Sequence, residues 1–304
     1  MNNIVIAAGT GFLGKVLTSY FKDKVETIII LTRGKTVKRD NVQFLHWDAK
    51  TLGDWSNALN DADALINLAG KSVDCRYNEK NKKDILTSRV DSTRILSTAI
   101  DQCTSPPKVW LNSSTATIYR HSTDKQMDEY KGEIGDDFSM NVAKSWERAF
   151  FEAENSGVRK VALRTSIVLG KDGGAFVPIK KLTQFGLGGK QGDGHQKVSW
   201  LHELDFARAI EFIIEKKSIE GVINLVAPRP TDNKTLMKVL RKSLGMPIGI
   251  PTPEWLLHIG ARIIRTEPEL VLKSRNVIPR RLQEAGFEHS YPNLELAIRS
   301  LTKN

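Results

Sequence analysis

Two cysteines, Cys75 and Cys103, stand in 304 residues. A disulfide framework is therefore excluded as the source of stability, and a reducing compartment is the plain expectation for two small apolar fillers. No run approaches the roughly 18 apolar residues that a membrane span needs. No basic leader, apolar stretch or small-residue cleavage site precedes the first strand pattern, which points to a cytoplasmic protein. The six histidines, at 46, 121, 195, 202, 258 and 289, include no pair at metal-ligand spacing. Ser113-Ser114 lacks the turn of a hydrolase nucleophile elbow. Only positive charge is in excess, with 45 Lys plus Arg against 35 Asp plus Glu and a net charge of +10. The densest spots, Lys80 to Lys83 and Arg280-Arg281, sit on helical patterns, so solvated helix faces are expected rather than a nucleic-acid groove. The expected partner is a small-molecule substrate, with no nucleic acid and no membrane; a homodimer is compatible with these features.

What is present starts at the N-terminus. Asn3-Ile4-Val5-Ile6-Ala7 is a short apolar run that predicts a buried strand. Gly9-Thr10-Gly11-Phe12-Leu13-Gly14 follows at once, and Leu13, Val16, Leu17, Tyr20 and Phe21 then recur at helical spacing. Strand, glycine turn and helix in that order predict a dinucleotide-binding βα unit. A diphosphate needs free backbone N–H groups, and the first turn of a helix offers them at its positive dipole end. A side chain at Gly11 would block the approach of the diphosphate, and one at Gly14 would hold the helix off the strand.

A second strand at 27–31 ends in Thr32-Arg33-Gly34-Lys35. An enzyme reading the unphosphorylated cofactor usually places Asp or Glu there to bond the ribose 2′-OH. A hydroxyl, a guanidinium and an amine stand there instead, which suits a 2′-phosphate, so NADP is preferred over NAD. Strands are also predicted at 42–45, where Asp48 beyond the end could reach the adenine amine, and at 64–67, which runs into the small turn Leu68-Ala69-Gly70. A helix over 78–103 places Arg89 on its inner side, a fifth strand covers 108–112, and 161–170 is the sixth strand and its exit. This alternation predicts an α/β fold, a Rossmann-type doubly wound parallel sheet, with a smaller, mostly helical C-terminal lobe. The expected division is an NADP-binding domain over 1–170 with 195–227 returning to the sheet. Residues 171–194, glycine-dense and able to act as a lid, and 228–304, all helical from Pro251, form the second lobe.

These motifs together resemble the extended and atypical short-chain dehydrogenase/reductase superfamily. Within it the chain is similar to the epimerase-like family often labelled sugar-nucleotide epimerase, which has its own small C-terminal domain of unknown function. The marks are the glycine turn, Asn67-Leu68-Ala69-Gly70, Ser88-Arg89-Val90, Trp146-Glu147, residues 164–170 and the run from Val277 to Phe287. The resemblance implies a dinucleotide gripped by the glycine turn, Thr32-Arg33 and the 68–70 turn, with Arg89, Ser166 and Ile167 alongside. It implies an oxidoreductase or epimerase-like enzyme acting on a small polar or nucleotide-linked carbonyl or alcohol.

The first glycine of the usual pattern is Ala8 here. The superfamily's chemistry normally uses a Tyr, a Lys four residues later, and a Ser or Thr from the fifth strand; the Lys lowers the phenol pKa toward the working pH. Thr115 matches the hydroxyl and Lys144 the lysine, but Met140, with Ser139 beside it, stands where the tyrosine belongs. Tyr119 is the replacement candidate that the sequence offers. The competing expectation is a catalytically inactive NADP(H)-binding sensor or interaction protein.

Overall fold

The computed structural model describes residues 1–263 and 266–303; the remaining positions of the expected C-terminal lobe, 264–265 and 304, lie outside the described residues. The chain opens with β1 (Asn3–Ala7), α1 (Phe12–Phe21), β2 (Thr27–Thr32), β3 (Val37–Arg39), β4 (Val42–His46) and β5 (Ala64–Asn67). It continues with α2 (Glu79–Asp101), β6 (Val109–Thr115), α3 (Phe138–Phe151) and β7 (Arg159–Thr165). Then come β8 (Ile167–Gly170), β9 (Gly173–Gly174), α4 (Phe176–Leu182), β10 (Lys197–Val198), β11 (Trp200–His202), α5 (Glu203–Glu215) and β12 (Gly221–Leu225). After β13 (Thr231–Asp232) the described elements are helical: α6 (Asn233–Ser243), α7 (Glu254–Ile263), α8 (Glu269–Leu272), α9 (Arg280–Glu284) and α10 (Leu294–Thr302).

The main sheet runs β12-β7-β6-β5-β1-β2-β4-β3. Every pairing in it is parallel except that of β3 with β4. The doubly wound expectation holds, and its physical basis is visible in the burial. Ile4, Ile6, Leu17, Phe21, Phe206, Ile210 and Ile213 fill one face of the sheet, under α1 and α5. Val5, Leu65, Leu96, Ile100, Trp110 and Phe150 fill the other, under α2 and α3. Strands buried on both sides read as continuous apolar runs, which is why they were visible in the sequence. The chain leaves β1 toward β2 and returns to its other side as β5, so the switch point lies beyond the carboxyl ends of these strands.

Three expectations are corrected. The exit of the sixth strand, Ile167–Gly170, is a strand of its own. Ser166 makes the break, its N–H and its Oγ both donating to the Leu225 carbonyl at 3.1 and 3.3 Å. Beyond the break β8 leaves the main sheet and pairs with β11 and β9. The return of 195–227 to the main sheet is therefore made by β12 alone, and 200–202 belongs to the smaller lobe. That lobe has its own core of Leu169, Phe176, Trp200, Leu236, Leu240, Ile298 and Leu301. Finally, the chain after Pro251 is not continuously helical. Residues 274–278 run extended beside 121–128, with Met127 N–H donating to the Asn276 carbonyl and Ile278 N–H to the Met127 carbonyl at 2.7 and 2.9 Å.

Candidate dinucleotide site and the seam between the lobes

At the switch point α1 begins with Gly11 as its N-cap, with no side-chain cap and no acidic residue in its first turn. Its leading amides and dipole are left for an anion. A Cβ built on Gly11 meets nothing within 4 Å, whereas one on Gly14 would fall 2.1 Å from the Gly9 carbonyl oxygen. One glycine thus keeps space open above the helix, and the other lets the helix touch the turn. Ala8 adopts φ +57°, the left-handed conformation that glycine would hold without cost. Phe12 turns its ring away, into a cradle where Cβ atoms at Gly170 and Gly173 would each come within 2.3 Å of it. Its part in the turn is its backbone, and its ring ties the turn to β8 and β9.

Arg33, one residue past β2, is exposed and makes no ion pair among the described residues. Thr32 Oγ1 accepts from Gly34 N–H at 3.2 Å. Asp48 is exposed, and both carboxylate oxygens serve its own turn, accepting from Lys50 N–H (2.8 Å), Thr51 N–H (2.9 Å) and Thr51 Oγ1 (2.8 Å). The Thr51 N–H, first among these donors, holds its pKa below the usual carboxylate value.

The 68–70 turn is fixed from below by Asn67. Its Oδ1 accepts from Ala69 N–H at 3.0 Å, while its amide donates to Asn112 Oδ1 at 2.7 Å. The Arg89 guanidinium lies so close to Gly70 that a Cβ there would meet its Cζ at 3.1 Å. Arg89 donates to the carbonyls of Lys71 and Ile85 and lies 5.1 Å from the Trp146 ring, with no carboxylate partner among the described residues. Burial pulls its pKa down to about 10. An unpaired guanidinium beside a small-residue turn at the ligand edge of a parallel sheet is suited to an anion.

The residues expected to carry the chemistry are placed less favourably. Thr115 caps a short turn, its hydroxyl bonding that of Thr117 and accepting from Thr117 N–H at 3.2 Å. Lys144 pairs with Asp136 at 2.6 Å. Ser166 joins β7 to β12 as described, and Ile167 opens β8. Tyr119 is corrected outright. It is 1% exposed, its hydroxyl donates to Asn224 Oδ1 at 3.0 Å, and it accepts from Arg164 Nη1 at 2.9 Å. Arg164 is in turn held by Glu147, which also accepts from Ser114. Tyr119 is part of the buried anchor of α3, and burial raises its pKa.

At the start of α3 two residues take opposite directions. Met140 is buried, its Sδ receiving the Asp137 N–H while Asp137 Oδ1 receives the Met140 N–H. Ser139 faces the seam between the lobes, where its hydroxyl donates to Glu269 Oε1 at 2.9 Å. The Tyr77 ring is 5.0 Å from that of Phe138. Tyr77 is pinned to the other lobe through its N–H, donated to Glu267 Oε1 at 2.7 Å. Arg275, largely enclosed on the same seam, has a buried Nε without a partner among the described residues. Tyr77 and Arg275 escaped the sequence reading because no local pattern marks them. One signal was available: Tyr77 immediately precedes Asn78, the N-cap of α2, and helix starts after parallel strands stand at the ligand edge. Among the described residues, no three His, Cys, Asp or Glu side chains gather as a metal site, and no helix is long and apolar enough to cross a membrane.

Comparison with known proteins agrees with this architecture. The profile of the NAD dependent epimerase/dehydratase family matches residues 4–225, and that of a domain of unknown function, DUF1731, matches 252–301. Epimerase family protein YfhF of Bacillus subtilis is 32% identical over 301 residues, covering 98% of this chain and 97% of that one. The human epimerase family protein SDR39U1 is 30% identical over 301 residues, covering 98% and 99%. The crystal structure of human SDR39U1 with NADPH superposes with a TM-score of 0.88 at 29% identity over 99% of both chains. A nucleoside-diphosphate sugar epimerase from Corynebacterium glutamicum gives 0.78 at 28% identity, covering 98% of this chain and 57% of its own.

Proposed function

This chain belongs to the NAD dependent epimerase/dehydratase family, and from that premise we propose that it binds NADP(H) in preference to NAD(H) and acts as an epimerase-like oxidoreductase. Its substrate is a small polar or nucleotide-linked carbonyl or alcohol. The observation that carries the cofactor preference is the end of β2, where residues 32–35 hold no carboxylate and the exposed Arg33 has no acidic partner among the described residues. The NADPH in the human relative supports it. The residues fit such a ligand: the Gly11 opening over uncapped amides takes the diphosphate, Thr32 and Arg33 the 2′-phosphate, and the 68–70 turn with Arg89 the inner ribose and phosphate. When bound, the dinucleotide supplies a hydride at C4 of the nicotinamide.

A second reading, a binding protein without turnover, draws on Met140 and Lys144. The first is buried and the second is paired with Asp136, so the usual Tyr and Lys work is not done from α3. Calorimetric titration of wild type and Arg33→Asp with NADPH and NADH tests the cofactor reading. The charge reversal is expected to weaken NADPH at least tenfold and NADH little; equal losses would overturn the preference. The sensor reading gains if NADPH binds tightly but stays unoxidised across a panel of carbonyl compounds.

A further inference from the structure

Helix α7 (Glu254–Ile263) is covered on one side only. Ala261 is buried against the lobe, while Trp255, Leu256 and Ile259 stand out from it, Trp255 being 65% exposed. At about 3.6 residues per turn these three share one face. Gly260 borders that face, and a Cβ built there meets nothing within 4 Å. The helix is held at both ends. Before it, Thr252 N–H donates to the Lys190 carbonyl at 2.9 Å. Beyond it, Glu267 takes the Tyr77 N–H at 2.7 Å and a guanidinium N–H of Arg76 at 3.1 Å. The apolar surface continues at the entry to α7. Exposed Ile250 donates its N–H to the Gly186 carbonyl at 2.8 Å, next in the chain to Phe185, which is 82% exposed. Single apolar residues at a surface need no explanation, but a stripe on an anchored helix does.

The polar residues of α7 indicate what covers the stripe. Glu254, His258 and Arg262 follow one another four residues apart, all exposed, in a row along one flank of it. Glu254 Oε1 lies 3.7 Å from His258 Nε2 within that row. The row is acidic at its start and basic at its end. An anionic membrane surface selects positive charge along such a flank, and this flank carries both signs. A parallel copy would set Glu254 against Glu254. In an antiparallel copy related by a two-fold axis, the same flank of both helices lies on the same side of the contact. Glu254 of each copy then faces Arg262 of the other, and His258, midway between them, stands at the axis. Gly260 lets the two backbones approach. We propose that α7 is a self-association surface on which a second copy of this chain packs antiparallel. Trp255 and Ile259 fill its centre, and two Glu254–Arg262 ion pairs fix its register. The proposal goes beyond the cofactor reading and stands independently of it.

Sedimentation velocity of the full-length chain over a concentration series tests it. The wild type is expected to pass from monomer to dimer as concentration rises. Trp255→Ser, at an exposed position, is expected to weaken the dimer about tenfold, as truncation of a central aromatic anchor does, with the melting temperature at high dilution unchanged. Glu254→Arg sets like charges across the axis and is expected to weaken it too. Combining Glu254→Arg with Arg262→Glu restores opposite charges at both contacts and is expected to recover the wild-type dimer. A monomer at every concentration would overturn the proposal, and so would a dimer that Trp255→Ser leaves unchanged. A loss in Glu254→Arg that the paired reversal does not repair would overturn it as well. A wild-type monomer that co-sediments with vesicles of phosphatidylcholine and phosphatidylglycerol, but not after Trp255→Ser, would assign the stripe to a membrane surface instead.

Discussion

At the scale of single residues, the two glycines of the opening turn do separable work. Gly11→Ala adds a methyl to open space at an N-cap, where alanine is a poorer cap than glycine by roughly 0.5–1 kcal/mol. Its melting temperature is expected to stay within a degree or two of wild type. Gly14→Ala drives a methyl to 2.1 Å from the Gly9 oxygen, and overpacking of this kind costs about 1–3 kcal/mol. Urea denaturation distinguishes them; equal stabilities would show that α1 does not rest on the turn as described. Ala8→Gly relaxes the left-handed backbone at φ +57° and is expected to raise stability by up to ~1 kcal/mol, since the relief is partly offset by a freer unfolded chain. The glycines were legible because a strand and a periodic helix flank them. Tyr119 was misread because sequence shows that a residue follows a strand, not which way its side chain turns.

At the scale of elements, α3 is held to the sheet by a buried ion pair. Arg164 on β7 bonds Glu147 at 2.7 and 2.8 Å, and both side chains are close to one-tenth exposed. Removing one partner strands the other charge, which costs about 3–5 kcal/mol. Glu147→Gln is expected to lose close to the lower figure, because the amide oxygen still accepts, and Tyr119→Phe about 1 kcal/mol for one hydrogen bond. Chemical denaturation reads both. Tyr119→Phe is also expected to leave NADPH affinity unchanged, and a large loss would return that phenol to the site. At this scale the parallel strands were readable as apolar runs. β3 was not, because all three of its residues are exposed and carry no burial signal. The break at Ser166 was not readable either: Arg164-Thr165-Ser166 interrupts the apolar run without saying that the chain changes sheets, and the cause is a carbonyl on β12, some 60 positions along the chain.

At the scale of the whole molecule, the lobes are joined through groups that titrate. His202 caps α5, its Nδ1 receiving the Leu204 N–H at 3.0 Å, and its ring stacks on Tyr291 from the C-terminal segment. Burial pulls its pKa from 6.5 to about 4. The unfolded chain therefore binds the extra proton between those values and the folded one does not, so stability rises with pH across that window. The contribution is complete above about pH 6.5 and is lost as pH falls toward 4, with a ceiling of ~3 kcal/mol. His289 is shifted in the same direction by burial and adds to it. His202→Asn keeps a capping acceptor and is expected to flatten the fall in urea midpoint between pH 7 and pH 5; an equal fall in both proteins would assign the dependence elsewhere. The two-lobed plan was legible from the glycine-dense change of texture after residue 170. The seam was not, because Tyr77, Ser139, Glu267, Glu269 and Arg275 lie far apart in sequence and meet only once both lobes have formed.

The central claim is that the opening βα turn seats the diphosphate of NADP(H) on free amides. Isothermal titration of NADPH into wild type and Gly11→Ala tests it most directly, with the folded state of the variant checked by its melting temperature. Saturable one-site binding to the wild type, reduced at least tenfold by a methyl that leaves the variant folded, is the predicted result. Undiminished binding to the variant, or no saturable binding to the wild type, would contradict it.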